Sequence, residues 1–446
     1  HDSSVGYETR LEAALRAFRN HLQGNRPATE RRRLPRLPSR TRKAEGRTVF
    51  VPPWDTLATP LFVAGLREAG LDARLLEENP GLIRQSLGYN TGQCIPLSII
   101  VHEFVEMVRR EKIDPARTAL WMPTSSIGCN ICFFPQYGKA LLESIGGGFE
   151  KANIYSGEVA CYEISPGATM NAFYAYTFAG ALRRMQCRVR PYEKQTGETD
   201  RVVAWALDQF EQAILGHLPK RETVRRVVDA FLQIEQEGEP RPLVAIFGDL
   251  YARDNDVLNQ DLIRLIEAHG GEALTTPYSE YLKMIAGPYL RKWFREGLYK
   301  DLLLSAPFAL SYDLLDYPFR REFERVLGKH PVVNPQGRPE QILARFGVTM
   351  NHTGESFDNL LKVFHLLERY PDISLFVQTS PAFCCPSLVT EAMAAQIERE
   401  TGVPVVTVTY DGNSADHNQV VVPYLELAVG TEERAGRRDR LAAARS

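Results

Sequence analysis

A rhythm narrows the fold of this chain more than any other feature. Short apolar runs alternate with amphipathic stretches, and the alternation starts twice. Runs at 48–51, 72–76, 118–122 and 151–155 read as strands, with helical spacing at 56–69 and 96–111. Helical stretches follow at 170–186, 199–215 and 222–236. After the polar segment 235–242 the rhythm restarts, with strands at 243–247, 272–275, 373–377 and 405–409. Helices are expected at 256–269, across 279–330, at 354–369 and at 387–400. Strands this short, apolar on both faces and separated by helices, are buried as parallel sheets covered on each side. The expected fold class is therefore α/β, with 46–236 and 237–430 as two like-built domains.

The ends differ from this body. Residues 7–24 place Leu11, Leu15, Phe18 and Leu22 at helical spacing, and 25–46 are rich in Arg and Pro, a linker or surface strap. The charged tail 431–446 is expected to fray. A net charge of −2 over 446 residues gives no electrostatic case for nucleic acid as the main partner. No apolar run approaches the ~18 residues needed to cross a bilayer. The polar start carries no secretory pattern, so a cytoplasmic location is expected.

In open α/β sheets ligands sit beyond the carboxyl ends of the strands. Of the 7 cysteines, six fall at strand-to-helix turns. Cys129 and Cys132 follow the 118–122 strand inside Ser125-Ser-Ile-Gly-Cys-Asn-Ile-Cys-Phe-Phe-Pro135. Cys161 follows the 151–155 strand, Cys384 and Cys385 follow the 373–377 strand, and Cys94 precedes the 96–111 helix. Cys187, at the end of a long helix, reads as structural. Cys94-Ile-Pro, Cys132-Phe-Phe-Pro and Cys385-Pro each put proline at a first helical turn. A cysteine there feels the positive end of the helix and unpaired N–H groups, which favour a thiolate and an anionic cluster bound to it.

Ligand counting separates the metal readings. One [4Fe–4S] cluster takes four cysteines. Two cubanes sharing a bridging sulfide need three each, and six candidates fit that case. Zinc wants paired C-x-x-C hairpins, and only Cys129/Cys132 qualify. A redox pair at Cys129/Cys132 and a set of buried free thiols are the other readings. His102-Glu103 lacks the second His of a zincin helix, and no phosphate-binding Gly-Lys loop or dinucleotide fingerprint occurs. If ATP drives the chemistry, another protein must hydrolyse it.

Cys94-Ile-Pro, the Cys-x-x-Cys loop, Arg190-Pro-Tyr-Glu193, Gly248-Asp-Leu-Tyr-Ala-Arg-Asp-Asn255 and Phe383-Cys-Cys-Pro386 together resemble the 2-hydroxyacyl-CoA dehydratase superfamily. Over roughly 46–428 the chain looks most like its double-cubane cluster proteins and the related segments of activase-like fusion proteins. That resemblance implies a homodimer in which two Rossmann-like domains with helical insertions hold a cluster between them. It implies two [4Fe–4S] units bridged by sulfide on Cys94, Cys129, Cys132, Cys161, Cys384 and Cys385. It also implies an ATP-hydrolysing [4Fe–4S] activase as electron donor, with reduction of a small molecule as the outcome. Two alternatives stay open: a 2-hydroxyacyl-CoA dehydratase component with a single [4Fe–4S] cluster, and a non-catalytic electron-relay segment of a fusion.

Lesser expectations concern other positions. His352 is the candidate proton donor, and Glu355 a candidate helix cap. Gly248, Asp249 and Asn255 should shape a turn and cap a helix. Arg190-Pro-Tyr-Glu193 should pin the helical region, and Thr379 and Ser380 could donate to cluster sulfurs.

Overall fold

The computed structural model describes residues 46–430 except 124–128, 158–159, 329–338, 350 and 351–354, together with 12, 15, 16, 18, 19, 22 and 44. The described residues of the N-terminal stretch, Leu15, Phe18 and Leu22 among them, are helical and exposed. The described residues from 44 onward belong to one compact unit.

Two four-stranded sheets make its frame, one on each side of the 235–242 segment. The first holds β1 (Thr48–Val51), β2 (Ala73–Leu75), β3 (Thr118–Trp121) and β4 (Asn153–Tyr155) in the order β2-β1-β3-β4. The second holds β5 (Leu243–Gly248), β6 (Glu272–Leu274), β7 (Ile373–Pro381) and β8 (Val405–Tyr410) in the order β6-β5-β7-β8. Every pairing is parallel. The two sheets thus share one topology, an α/β architecture of two Rossmann-like units with helical insertions. Their central strands are closed to water on both faces: Val49–Val51, Ala119–Trp121 and Val244–Phe247 are all 0% exposed. That burial is why they read as continuous apolar runs rather than alternating ones.

The helices that cover the sheets start where the chemistry is local. After β1 comes α1 (Ala58–Glu68), and Asp55 Oδ1 accepts from the amides of Leu57 (2.8 Å) and Ala58 (2.9 Å). Next are α2 (Pro80–Ser86), capped by Asn79, and α3 (Ile95–Arg110). After β3 comes α4 (Phe134–Ile145). The long α5 (Pro166–Val189) begins at a Ser165 cap, with Pro at its first turn, and leads to α6 (Glu198–Ile214) and α7 (Lys220–Leu232). In the second half, α8 (Leu250–Asp254) and α9 (Leu262–Ala268) follow β5. Between β6 and β7 lie α10 (Tyr278–Arg295), α11 (Tyr299–Leu327), α12 (Pro339–Arg345) and α13 (Glu355–Arg369). The last helices named are α14 (Cys385–Ala392) and α15 (Ala394–Thr401).

One sequence expectation breaks here. The helix expected across 256–269 is only α9, because Asn255 and Asn259 turn the chain with their own side chains. Asn255 Oδ1 accepts from Val257 N (3.1 Å) and Leu258 N (3.0 Å), and Gln260 and Asp261 adopt positive φ.

The strut between the halves is α5. Arg183 donates to Thr56 Oγ1 (2.6 Å), Asp55 Oδ1 (3.4 Å), the Asp254 carbonyl (3.2 Å) and Asp256 Oδ1 (3.0 Å). One nearly buried guanidinium therefore holds the loop after β1 against the segment after β5. Asn255 Nδ2 adds a bond to the Pro53 carbonyl (3.0 Å) across the same seam. Arg190-Pro-Tyr-Glu193 pins the helical region, as expected. Arg190 pairs with Glu267 (2.7 Å) and Asp200 (3.0 Å), and Glu193 accepts from Gly197 N and Thr199 N.

Candidate functional site

The equivalent turns of the two sheets supply the site. After the first strand of each half stands a capping aspartate, Asp55 or Asp249; Asp249 Oδ1 accepts from Tyr251 N and Ala252 N, both at 2.9 Å. After the third strand of each half stands a cysteine turn, Cys129–Cys132 or Cys384–Cys385. Gly248 makes the second arrangement possible. It lies at φ +122°, and a Cβ there would stand 2.1 Å from the Thr379 carbonyl oxygen, so only glycine lets β5 end against β7.

The two cysteine turns touch. Asn130 Nδ2 donates to the Phe383 carbonyl (3.4 Å), and Cys385 Sγ lies 3.5 Å from Asn130 Oδ1. The Cys94 turn joins them on both sides. Ile95 N donates to the Ala382 carbonyl (3.3 Å), and Thr91 Oγ1 shares a 2.6 Å hydrogen bond with Tyr137 Oη on α4, the helix that follows Cys132. Five of the six candidate ligands, Cys94, Cys129, Cys132, Cys384 and Cys385, therefore occupy three adjoining turns. Cys94 and Cys384 are buried N-caps of α3 and α14, Cys385 is the exposed first residue of α14, and Cys129 precedes a 3₁₀ turn, Asn130–Phe133.

Cys161 is placed differently. Its turn follows β4, its residue is 1% exposed and it packs in the first half's apolar core. Burial, with Glu163 adding to it, pushes this thiol upward, and the buried Tyr176 lies close enough to feel its charge. Cys161 (φ 56°) and Phe383 (φ 64°) are two of the five non-glycine residues with positive φ among the described residues. Backbone strain thus falls on two of the cysteine turns, the kind of place where strain marks function. Cys187 lies within α5 beside Arg183 and Arg190, its thiol pushed up to about 12 by burial.

The donor chemistry suits a thiophilic inorganic centre, with thiols at helix starts and no side chain capping those starts. Among the described residues no three His, Cys, Asp or Glu side chains converge as ligands of a single metal ion. The thiols instead line the junction of several turns. Residues 125–128 of the Cys129 loop and His352 lie outside the described residues. Thr379 and Ser380 turn out to be sheet residues, because β7 runs on to Pro381. Thr379 Oγ1 donates to the Phe247 carbonyl (3.3 Å), and Ser380 Oγ pairs with Thr409 Oγ1 (3.2 Å).

Beside the cysteines lies a buried acid group that sequence reasoning missed. Cys384 Sγ is 3.7 Å from Asp249 Oδ2. The next residue but one, Tyr251, donates its hydroxyl to Glu78 Oε1 (3.2 Å), and Asn255 Nδ2 donates to the other Glu78 oxygen. Glu103, on α3, is 1% exposed, and neither of its carboxylate oxygens has a hydrogen-bond partner among the described residues. Burial is the main cause that pushes Glu78 up to about 7 and Glu103 well above the carboxylate range, with Glu78's charge adding to the latter. One signal was available: Glu103 interrupts the apolar stripe of Ile99, Ile100, Phe104 and Met107. Large exposed apolar side chains, Phe133, Tyr162 and Phe383, flank the cysteine turns.

No protein-family model matches the chain, and no curated protein matches it.

Proposed function

We propose that this chain is a partner-activated, low-potential reductase of small molecules. Cys94, Cys129, Cys132, Cys161, Cys384 and Cys385 would hold two [4Fe–4S] units bridged by sulfide. The observation that carries this reading is the contact of Asn130 with Phe383 and Cys385, which joins the cysteine turns of the two sheets. A single zinc site or a surface redox pair would need only one of those turns. When bound, such a centre supplies strongly reducing electrons one at a time.

The rest is the work of the chain's own residues. Cys94 and Cys384 stand at the positive ends of α3 and α14, which favours negative charge there. Burial of Cys94 and Cys384 excludes water from that side of the junction. Burial raises Glu78 to about 7 and raises Glu103 too, which favours the protonated form of this buried acid pair and makes it a proton store beside a site where reduction consumes protons. Exposed Phe133, Tyr162 and Phe383 offer an apolar landing for an electron-donating partner, since the chain carries no nucleotide-binding motif of its own.

Iron and acid-labile sulfide in anaerobically prepared protein test the reading. About eight irons per chain is the expected value; about four would replace it with the single-cubane dehydratase component. A full iron load with no reduction of acetylene or hydrazine, given a reduced activase and ATP, would leave an electron relay.

A further inference from the structure

Glu78 and Glu103 bracket the segment that carries Cys94. Glu78 lies in the loop after β2 and Glu103 on α3, and between them come α2 and the Cys94 turn. By sequence the segment belongs to the first half, yet its apolar face packs into the second. Ile83, Ile95 and Ile99 are at most 4% exposed and share a core with Val244, Val377 and Tyr410 of the second sheet. Two polar contacts add to this across the seam. Ile95 N donates to the Ala382 carbonyl (3.3 Å), and Glu78 accepts from the Tyr251 hydroxyl and from Asn255 Nδ2, both of the second half.

The surroundings of the two acids hold no cation for either. Glu78 has only the two neutral donors, and neither oxygen of Glu103 has a partner among the described residues. From the second half Tyr251 faces the pair, and its hydroxyl also feels the charge of Asp249. On α3, His102 precedes Glu103 with Nε2 3.2 Å from Gln85 Oε1 of α2, and burial lowers its pKa, which keeps it neutral near pH 7. Glu77, before Glu78, is turned onto Arg110 (2.6 Å). A buried carboxylate without a cation is relieved in two ways, by a proton or by water. Water reaches Glu78 and Glu103 together when the segment lifts from the second half.

We propose that Glu78 and Glu103 form a pH-sensitive latch on the cysteine junction: neutral, they let the α2–α3 segment lie against the second half, and ionised, they favour its release. Release carries Cys94, buried in the closed form, away from the Cys384 turn. The latch is a property of the chain itself and does not rest on the centre proposed above. Its sign follows from burial, which raises Glu78 to about 7 from 4.5. Between those values the closed form holds a proton that the open, hydrated form lacks. Opening therefore becomes easier as pH rises from 5 and levels off above about 7.

Hydrogen exchange of the full chain at pH 5 and pH 8, read by peptide mass and corrected for the intrinsic pH dependence, tests the latch. Peptides covering 87–99 should lose about tenfold or more of their protection at pH 8, while staying less protected than β5 at both values. In Glu78→Gln the loss should stay under about twofold. A measurement on the unaltered chain guards against a misfolded variant: a protonated-carboxyl infrared band should remain at pH 6, where exposed acids are ionised. Protection independent of pH, an equal loss in Glu78→Gln, or no such band would overturn the latch. So would protection of 87–99 equal to that of β5, which would mean that the segment opens only with the whole chain. None of these outcomes depends on iron, so the latch and the proposed centre can fail separately.

Discussion

The two sheets have the same strand order and put the same kinds of residue at the same turns, yet they use them differently. In the first half, Asp55 is locked at the seam by Arg183, at 3.4 Å and with both side chains almost wholly buried. In the second, Asp249 caps its helix with one oxygen and faces the Cys384 thiol with the other. The helical insertions differ too. The first half places α5–α7 after its fourth strand, while the second places α10–α13 between its second and third. One topology therefore yields a structural wall and a chemical wall. What sets them apart is what faces the capping aspartate: a buried guanidinium at Asp55, a thiol at Asp249.

The largest expected effect is on the structural wall. Arg183→Met should destabilise the chain by about 3–5 kcal/mol, because it leaves Asp55 buried without its cation. Chemical denaturation measures this, and a loss under about 1 kcal/mol would show that the seam is held elsewhere. On the chemical wall, Gly248→Ala should cost about 2–3 kcal/mol, since the added Cβ meets Thr379 backbone atoms at a positive φ. The chain leaves β1 through Pro52 and has no such glycine, so Pro52→Ala should cost much less.

The buried acids give a pH signature. Burial raises both Glu78 and Glu103, so the folded chain keeps protons that the unfolded chain releases above about 4.5. Their stabilising contribution is complete below that value, and that of Glu78 is lost as pH rises through about 7. Between pH 5 and 8 the unaltered chain should lose roughly 2–3 kcal/mol relative to the Glu78→Gln variant, with Glu103→Gln shifting the slope in the same direction. Identical pH slopes would remove the acid pair from the account. The smallest stability effect belongs to Cys385→Ser, within about 0.5 kcal/mol because that residue is exposed.

The sequence made the sheets legible because strands buried on both faces leave unbroken apolar runs. Each of the eight named strands falls on a run visible in the sequence. Polar side chains that take over the backbone's hydrogen bonds were harder to see. Asn255 and Asn259 cut the expected 256–269 helix down to α9, and the β7 ladder absorbs Thr379 and Ser380 that seemed free to serve a cluster. At the candidate site, cysteine spacing located the turns, and proline marked the helix starts. The convergence of the three turns depends on a backbone bond from Ile95 to Ala382 and on the side chains of Thr91, Asn130 and Tyr137, whose partners are 46 to 255 residues away. Glu78 and Glu103 were invisible for another reason: a carboxylate's burial depends on what packs over it.

Iron per chain in serine variants taken from the two halves tests the central claim most directly. If both cysteine turns hold one shared inorganic core, Cys129→Ser and Cys384→Ser should each lose about half of the iron or more, while Cys187→Ser keeps all of it. Undiminished iron in Cys384→Ser, or equal loss in Cys187→Ser, would contradict the account.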